Sequence, residues 1–298
     1  MRFSTGGGLG FEARFSNRRL SDPPKACNFA CVTGKKKLRI AYILSLPHSG
    51  STILAHNLSK YHPVVNLGEA GYGMRRLATR AADQCPCACG KSARDCEFWG
   101  GLDFALMPTG ETQDRLDYGR LSNRFRSVFG EDAILLDANK TSEPISYFCE
   151  MPDCEVFAIH LVRDFRGACV SEAIRKKKKH AGRATWFTAT QAAFQWMRKN
   201  LGISRLLDSL PLAGRKCMSY EALCNNPQKT LLETGVWLGA AMEAGVAKDH
   251  ALIGNTLEFS AGSREIIYDN RWKNSRSFYP ALLLFPILPL LNRRWVYS

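Results

Sequence analysis

Two segments of the chain share a pattern in which an apolar run is followed by a polar turn and then by a helix. In the first, residues 40–44 are continuously apolar, which is typical of a parallel strand buried on both faces. After the turn, Leu54, Leu58 and Tyr61 recur at the i, i+4, i+7 spacing of one helical face. This pattern predicts a strand, a turn and a helix.

The turn of the first segment has the sequence PHSGST and spans residues 47–52. A helix that begins there directs its free N–H groups and the positive end of its dipole at one point, which favours a bound phosphate. Gly50 allows close approach of the backbone, and the hydroxyls of Ser49, Ser51 and Thr52 add donors. An ordinary strand-to-helix turn would give the same pattern, so the turn alone leaves both interpretations open.

The turn lacks the groups with which kinases and ATPases bind nucleoside triphosphates. Their GxxxxGK[ST] motif has a Gly where Ser45 stands and a Lys where Ser51 stands. That lysine reaches the terminal phosphates, and without it the loop suits a smaller anion such as a 5'-phosphate.

The second segment has an apolar run over residues 156–162, which ends at Arg163 and Asp164 and precedes a helix predicted over residues 165–174. Open α/β sheets bind ligands at the carboxyl ends of their strands, and the guanidinium of Arg163 matches a phosphate dianion. Ser171 follows about two helical turns later and adds a hydroxyl. An exposed ion pair of Arg163 with Asp164 is the alternative interpretation.

Together, PHSGST and the later LVRDFRGACVS resemble the sulfotransferases that use 3'-phosphoadenosine 5'-phosphosulfate (PAPS). Three further segments match in the expected order: Cys89-Gly90 with Cys96 to Trp99, residues 219–223 with Asn226-Pro227, and His250 with Gly254-Asn255. The resemblance covers residues 38–298. It implies a P-loop NTPase-like α/β fold, a three-layer sandwich with a central parallel sheet.

The resemblance also implies the reaction, in which a sulfuryl group passes from PAPS to a hydroxyl or amine by in-line displacement. The first motif would hold the 5'-phosphosulfate, whereas Arg163 and Ser171 would hold the 3'-phosphate. The residues assigned to the co-substrate are Pro47, His48, Ser49, Gly50, Ser51, Thr52, Arg163, Ser171 and Tyr220. His48 stands where relatives resembling the tyrosylprotein enzymes often have Arg, which removes a permanent charge near the transferred group.

Three residues are candidates for catalysis. Glu69 resembles the Glu of a Gly-Glu pair that acts as base in tyrosylprotein sulfotransferases, and His48 is a second candidate base. Lys140, at the end of the strand predicted over residues 134–137, resembles the family's Lys before a Pro turn and would stabilise the leaving oxygen. The mechanism assigns no metal ligand, because a sulfuryl group bears less charge than a phosphoryl group.

Two other functions remain as alternatives to a sulfotransferase. One is a nucleotide-binding module without catalysis, which Glu69 and Lys140 argue against. The other is a P-loop kinase, which the absence of the motif lysine argues against. The acceptor stays open among small metabolites, glycans or glycolipids, and protein tyrosine, because acceptor loops lie outside the matched motifs.

The contacts of the nucleotide near the C-terminus are also open. Many relatives carry an Arg after the Gly-Asn pair, but here Thr256 follows it. Arg264, Arg271 and Lys273 are the available substitutes. Elsewhere, Phe194, Met197 and Leu201 recur at i, i+3, i+7 and predict a core-facing stripe on a helix that begins near Thr185.

Composition supports one α/β domain after a flexible basic extension over residues 1–37. The chain has 298 residues, of which 45% are hydrophobic, and its net charge of +14 suits a polyanionic ligand. Nucleic acid is not predicted as a partner, because aromatic residues do not alternate with the basic ones. The extension has no apolar stretch of a secretory signal and no membrane span is evident, so a cytoplasmic location is expected. The oligomeric state is open.

Eleven cysteines are many for an intracellular enzyme, and four of them lie within twelve positions: Cys85, Cys87, Cys89 and Cys96. Four thiols at this density suggest zinc, but their spacing differs from the usual C-x2-C knuckle. A disulfide, a metal site and reduced thiols all remain open, and reduced thiols are favoured if the protein is cytosolic.

Overall fold

The computed structural model describes residues 36–79, 81–102, 111–179, 185–241, 244–252 and 265–297. Nearly all of the predicted extension and the candidate Arg264 lie outside these ranges. The strands are β1 (Leu38–Ser45), β2 (Val64–Asn66), β3 (Ile134–Asp137), β4 (Cys154–Val162) and β5 (Gly214–Ser219). The α-helices are α1 (Ser51–Leu58), α2 (Ala70–Thr79), α3 (Glu111–Phe129), α4 (Glu143–Glu150), α5 (Phe165–Lys179), α6 (Thr185–Ser209), α7 (Tyr220–Asn225), α8 (Pro227–Trp237), α9 (Tyr279–Leu284) and α10 (Leu288–Val296).

The five strands form one parallel sheet in the order β2-β3-β1-β4-β5. The first strand lies at its centre, where Ile40 pairs with Leu135 of β3 and with Val156 of β4. After β1 the chain continues to β2 at one edge of the sheet, and after β4 it continues to β5 at the opposite edge. Ligands of open α/β sheets bind at such a switch point, outside the carboxyl ends of the strands. The predicted α/β class with a central parallel sheet is confirmed.

Alternate side chains of β1 enter two different cores because successive residues of a strand point to opposite faces. On one face, Ile40 belongs to a cluster with Phe125 of α3 and Phe148 of α4. On the other, Ile43 belongs to a cluster with Leu54 of α1. Helices therefore cover both faces of the sheet, which explains the continuous apolar sequence of its central strands. The result is the predicted arrangement of three layers.

The structure tests three boundaries that the sequence predicts. The first helix ends at Leu58, so Tyr61 is buried beyond it. Strand β3 spans Ile134–Asp137, the residues predicted for it, and Lys140 lies beyond its end in the loop before α4. The helix after the second motif begins at Phe165 as predicted and continues past Ile174 to Lys179, so the basic run of residues 175–179 finishes it.

Helix α6 begins at Thr185 as predicted, and two residues of the predicted stripe, Met197 and Leu201, pack against a core cluster, but Phe194 does not. Phe194 is 43% exposed, whereas Ala189, Ala193 and Trp196 are buried. The buried face thus combines small side chains with Trp196, and α6 packs along α5. Periodicity alone could not separate the buried row that contains Ala193 and Trp196 from the adjacent row that begins at Phe194, because both rows have helical spacing.

The C-terminal apolar residues form α9 and α10, which pack on α6 and β5. Leu288 and Trp295 are buried there. Among the described residues, no helix combines the length and the apolar character needed to cross a membrane.

Candidate functional site

The phosphate loop joins the end of β1 to the start of α1. Gly50 has φ +89° and immediately precedes the helix, and the N–H of Leu54 donates to its carbonyl (2.9 Å). The N–H groups of the preceding first turn therefore have no acceptor within the helix, as at any helix start. Ser49 and Ser51 are buried at the loop, whereas Thr52 is exposed.

Gly50 is required for a second reason, which is the close approach of another element. A Cβ atom at this position would lie 2.7 Å from Cδ2 of Tyr220, at the start of α7. The combination of positive φ and this contact excludes other residues without a shift of the loop. Tyr220 therefore lies directly against the phosphate loop, as its assignment to the co-substrate site requires.

Arg163, at the carboxyl end of β4, reaches the same loop. Its Nη1 donates to the carbonyl oxygen of His48 (2.9 Å) and to Oγ of Ser171 (3.4 Å). Its guanidinium carbon lies 4.6 Å from the ring centroid of Tyr220. The structure thus brings His48, Gly50, Arg163, Ser171 and Tyr220 together at the switch point of the sheet.

Asp269 is the most informative neighbour that sequence reasoning missed. Nη2 of Arg163 donates to its Oδ2 at 2.9 Å, Nη2 of Arg271 donates to the same oxygen at 2.7 Å, and Oγ of Ser171 lies 3.5 Å away. The hydrogen bonds from Arg271 and then Arg163 hold the pKa of Asp269 well below its usual range. A carboxylate oxygen thus occupies the point where three donors converge.

This convergence distinguishes among the candidate substitutes for the C-terminal Arg. Arg271 donates to both carboxylate oxygens of Asp269 and therefore belongs to this group of donors. Lys273 instead has its Nζ 5.8 Å from the ring centroid of Tyr268. No local signal marks Asp269, which is 106 residues from Arg163 in sequence.

The two main catalytic candidates contact each other. Nζ of Lys140 donates to Oε1 of Glu69, and their side chains are 33% and 34% exposed. Glu69 immediately precedes α2, and Lys140 lies in the loop between β3 and α4. The site residues at this edge of the sheet are therefore paired in the structure described here.

Asp137 holds the two loops that carry this pair. Its Oδ1 accepts the backbone N–H of Ala70 (3.2 Å), next to Glu69, and that of Asn139 (2.9 Å), next to Lys140. Burial raises the pKa of Asp137 to about 7. Sequence reasoning treated Asp137 only as a strand residue. The signal that could have found it is a carboxylate at the carboxyl end of a buried parallel strand.

His48 adopts φ +65° and is exposed in the loop. Partial desolvation lowers its pKa, and the cations Arg175, Lys140 and Arg163 lower it further, while Glu172 opposes them. The imidazole is therefore favoured in its neutral form, which is the form that a general base requires.

No family model matches the chain, and no curated protein sequence does so either. Several solved structures do match. They include a sulfotransferase domain from the curacin biosynthetic pathway, with 17% identity, a TM-score of 0.44, and coverage of 85% of this chain and 99% of that one. A sulfotransferase domain from the Synechococcus PCC 7002 olefin synthase has 21% identity, a TM-score of 0.43, and coverage of 83% and 86%.

A third match is a sulfotransferase from Alicyclobacillus acidocaldarius, with 11% identity, a TM-score of 0.45, and coverage of 87% of this chain and 95% of that one. The α/β fold described above rests on the strand order and the parallel register, not on these similarities.

Proposed function

We propose that this protein transfers the sulfuryl group of PAPS to a hydroxyl or amine acceptor. The observation that carries the proposal is a second anion-binding point beside the phosphate loop, formed by Arg163, Ser171 and Arg271 around one oxygen of Asp269. PAPS carries two separate phosphate groups on one ribose. A loop for the 5'-phosphosulfate and a separate cationic point for the 3'-phosphate match that chemistry.

In this proposal Asp269 stands in for the 3'-phosphate. Its carboxylate oxygen accepts from the same donors that a phosphate oxygen would use, in a similar charge-assisted geometry. Binding of the nucleotide must therefore displace Asp269 from Arg163. The phosphate loop receives the 5'-phosphosulfate through the N–H groups of the first turn of α1.

The transfer itself is an in-line displacement at sulfur. The acceptor oxygen or nitrogen forms a bond to sulfur, and the bond from sulfur to the bridging oxygen of the 5'-phosphate breaks, releasing adenosine 3',5'-bisphosphate. Glu69 takes the acceptor proton, and Lys140 stabilises negative charge on the bridging oxygen. Because these two side chains pair with each other, Lys140 must exchange Glu69 for the co-substrate before the reaction.

His48 is the alternative base. Its lowered pKa keeps the ring neutral, and it lies in the loop that would hold the transferred group. The acceptor is not identified by these contacts. The mechanism uses the protein's own donors and assigns no metal ion to the transfer.

A nucleotide-binding module without catalysis is the second candidate. The ion pair of Lys140 with Glu69 keeps this candidate open, because each side chain occupies the other while they are paired. The two proposals differ in turnover and not in nucleotide binding, so the decisive measurement is chemical.

The experiment has two stages on the full chain. Calorimetry should show binding of adenosine 3',5'-bisphosphate with much weaker binding of AMP and of ATP. Incubation with radiolabelled PAPS and panels of phenols, amines, glycans and tyrosine peptides should then transfer label to an acceptor. Preference for ATP over the bisphosphate would overturn the sulfotransferase proposal in favour of a kinase. Tight bisphosphate binding without transfer to any panel member, and without slow hydrolysis of PAPS, would support the binding module instead.

A further inference from the structure

Four potential metal ligands from distant parts of the sequence meet outside the nucleotide site. Cys87, Cys89 and Cys96 lie in the loop after α2, and His250 lies in the segment 244–252. Their ligand atoms are all within 4.8 Å of one another, and only Cys89 among the four is exposed. These four residues are referred to as the Cys3His cluster.

Two distances between ligand atoms of the cluster are close to those of a tetrahedral zinc site. Zinc binds thiolate sulfur at about 2.3 Å and imidazole nitrogen at about 2.0 to 2.1 Å, so the edges of a tetrahedral site are about 3.8 Å between sulfurs and about 3.5 Å between sulfur and nitrogen. The Sγ atoms of Cys87 and Cys96 are 3.7 Å apart, and Sγ of Cys96 lies 3.2 Å from Nδ1 of His250. The two sulfurs are too far apart for a disulfide bond, which spans about 2.05 Å.

The groups around the cluster orient its ligands. Nε2 of His250, the ring nitrogen away from Cys96, lies 3.4 Å from Oε1 of Glu97. Histidines that bind a metal commonly donate their other ring N–H to a carboxylate, which fixes the tautomer. The indole N–H of Trp99 donates to the carbonyl of His250 (2.5 Å).

Backbone geometry at Gly90 completes the turn of the cysteine loop. Gly90 has φ +89°, and its N–H donates to the carbonyl of Cys87 at 3.0 Å. This hydrogen bond closes a turn over residues 87–90, and the sulfurs of Cys87 and Cys89 lie within 4.8 Å of each other although only one residue separates them. The structure thus achieves with C-x-C what the usual knuckle achieves with C-x2-C.

We propose that the Cys3His cluster binds one zinc ion in a structural site. Three soft thiolates and one imidazole form a ligand set that favours zinc and excludes magnesium and calcium, which prefer oxygen. Four protein ligands leave no open position, so the ion takes no part in the transfer of the sulfuryl group. Zinc displaces the protons of the three thiols on binding.

The ion would join two chain segments beside the catalytic loop. The N–H of His250 donates to the carbonyl of Asn66 (2.7 Å), and the N–H of Ala88 donates to the carbonyl of Ala251 (2.9 Å). A Cβ atom on Gly68 would lie only 2.6 Å from Cβ of Ala251. Since Asn66 and Gly68 lead directly into Glu69, zinc would stabilise the position of that loop.

The first experiment measures metal in the full chain, purified under reducing conditions without a chelator or an affinity tag that binds metal. Inductively coupled plasma mass spectrometry should find about one zinc ion per chain. Cys96→Ser and His250→Ala should lose the zinc, whereas Cys149→Ser, a free cysteine outside the cluster, should retain it. Cobalt added to the zinc-free protein should give the absorption of tetrahedral cobalt with thiolate ligands.

A milder variant keeps the test decisive if the cysteine variants do not fold. Glu97 is exposed, so Glu97→Gln should fold normally yet bind zinc about 10- to 100-fold more weakly in competition with a chromogenic chelator. Glu131→Gln, at another exposed carboxylate, is the matched control and should match the wild type. Neither measurement uses PAPS, so the result is independent of the proposed enzymatic activity.

Two results would overturn the zinc site. One is a reduced protein that contains no zinc, takes up none from solution, and shows no cobalt absorption. The other is a Cys87–Cys96 disulfide recovered by peptide mapping from cells treated with a thiol-blocking reagent at lysis, because a disulfide would remove two of the four ligands.

Discussion

Replacing Arg163 is the sharpest perturbation of the proposed nucleotide site. The side chain is 6% exposed, and its two terminal nitrogens contact the His48 carbonyl, Ser171 and Asp269. In the proposed complex a 3'-phosphate takes the place of Asp269. Arg163→Ala removes a buried charge-assisted pair with that phosphate, while the contacts of the 5'-phosphate to the loop remain.

The expected loss follows from the burial of the guanidinium. Truncating one partner of a buried, hydrogen-bonded charge pair costs about 2 to 5 kcal/mol. That range corresponds to an increase in Kd for adenosine 3',5'-bisphosphate of about 30-fold to about 4,000-fold. Kd for AMP should change little, because AMP has no 3'-phosphate.

Calorimetric titrations of the wild type and the variant measure Kd for AMP and for adenosine 3',5'-bisphosphate. Thermal shifts provide a second measurement, since a ligand that binds only the folded state raises Tm. Arg215→Ala is the matched control, because Arg215 lies near the amino end of β5, at the edge of the sheet away from the site. The AMP titration also reports on the loop itself, which Arg163 contacts at His48. Equal losses for AMP and the bisphosphate would refute the assignment of Arg163 to the 3'-phosphate.

Three further predictions address catalysis and electrostatics. Glu69→Gln should keep the affinity for PAPS and lose roughly 10² to 10⁴ in turnover. Lys140→Ala should also lose turnover, and the loss should be smaller with sulfuryl donors that have a better leaving group. If turnover by the Glu69→Gln variant is normal, His48 becomes the base and His48→Asn should abolish activity. Asp269→Asn should bind the bisphosphate about 5-fold more tightly. The neutral amide interacts with Arg163 less strongly than the carboxylate does, by about 1 kcal/mol, and so competes less with the 3'-phosphate. Weaker binding in calorimetry would show that the carboxylate supports the nucleotide. Burial raises the pKa of Asp137 in the folded state to about 7, whereas its pKa in the unfolded chain is about 3.9. Between these two pH values the folded protein binds more protons than the unfolded chain. The contribution of Asp137 to stability is therefore lost as pH rises through this window, by at most ~1.4 kcal/mol per pH unit. Denaturant unfolding of Asp137→Asn should show a flatter pH dependence over that window, and a slope identical to that of the wild type would contradict the buried protonated carboxyl.

The local pattern of the sequence was sufficient for the elements that carry the site. Strand β1 and helix α1 follow from a continuous apolar run, a polar turn and helical spacing, each of which depends on neighbouring residues alone. The same holds for Arg163, because a residue at the end of an apolar parallel strand lies at the ligand-binding edge of the sheet. The motif resemblance linked the phosphate loop with Arg163 and Ser171 in one site, which periodicity could not do.

The tertiary structure alone established which distant residues share a contact. Nothing local in the sequence connects Asp269 to Arg163 or His250 to Cys96, since each pair is separated by more than a hundred residues and meets only through chain folding. The stripe on α6 shows the same limit, because spacing identifies a helix but not which of two adjacent apolar rows faces its neighbour. Local patterns determine backbone conformation through short-range sterics and burial, whereas the composition of a site depends on long-range packing that one segment does not encode.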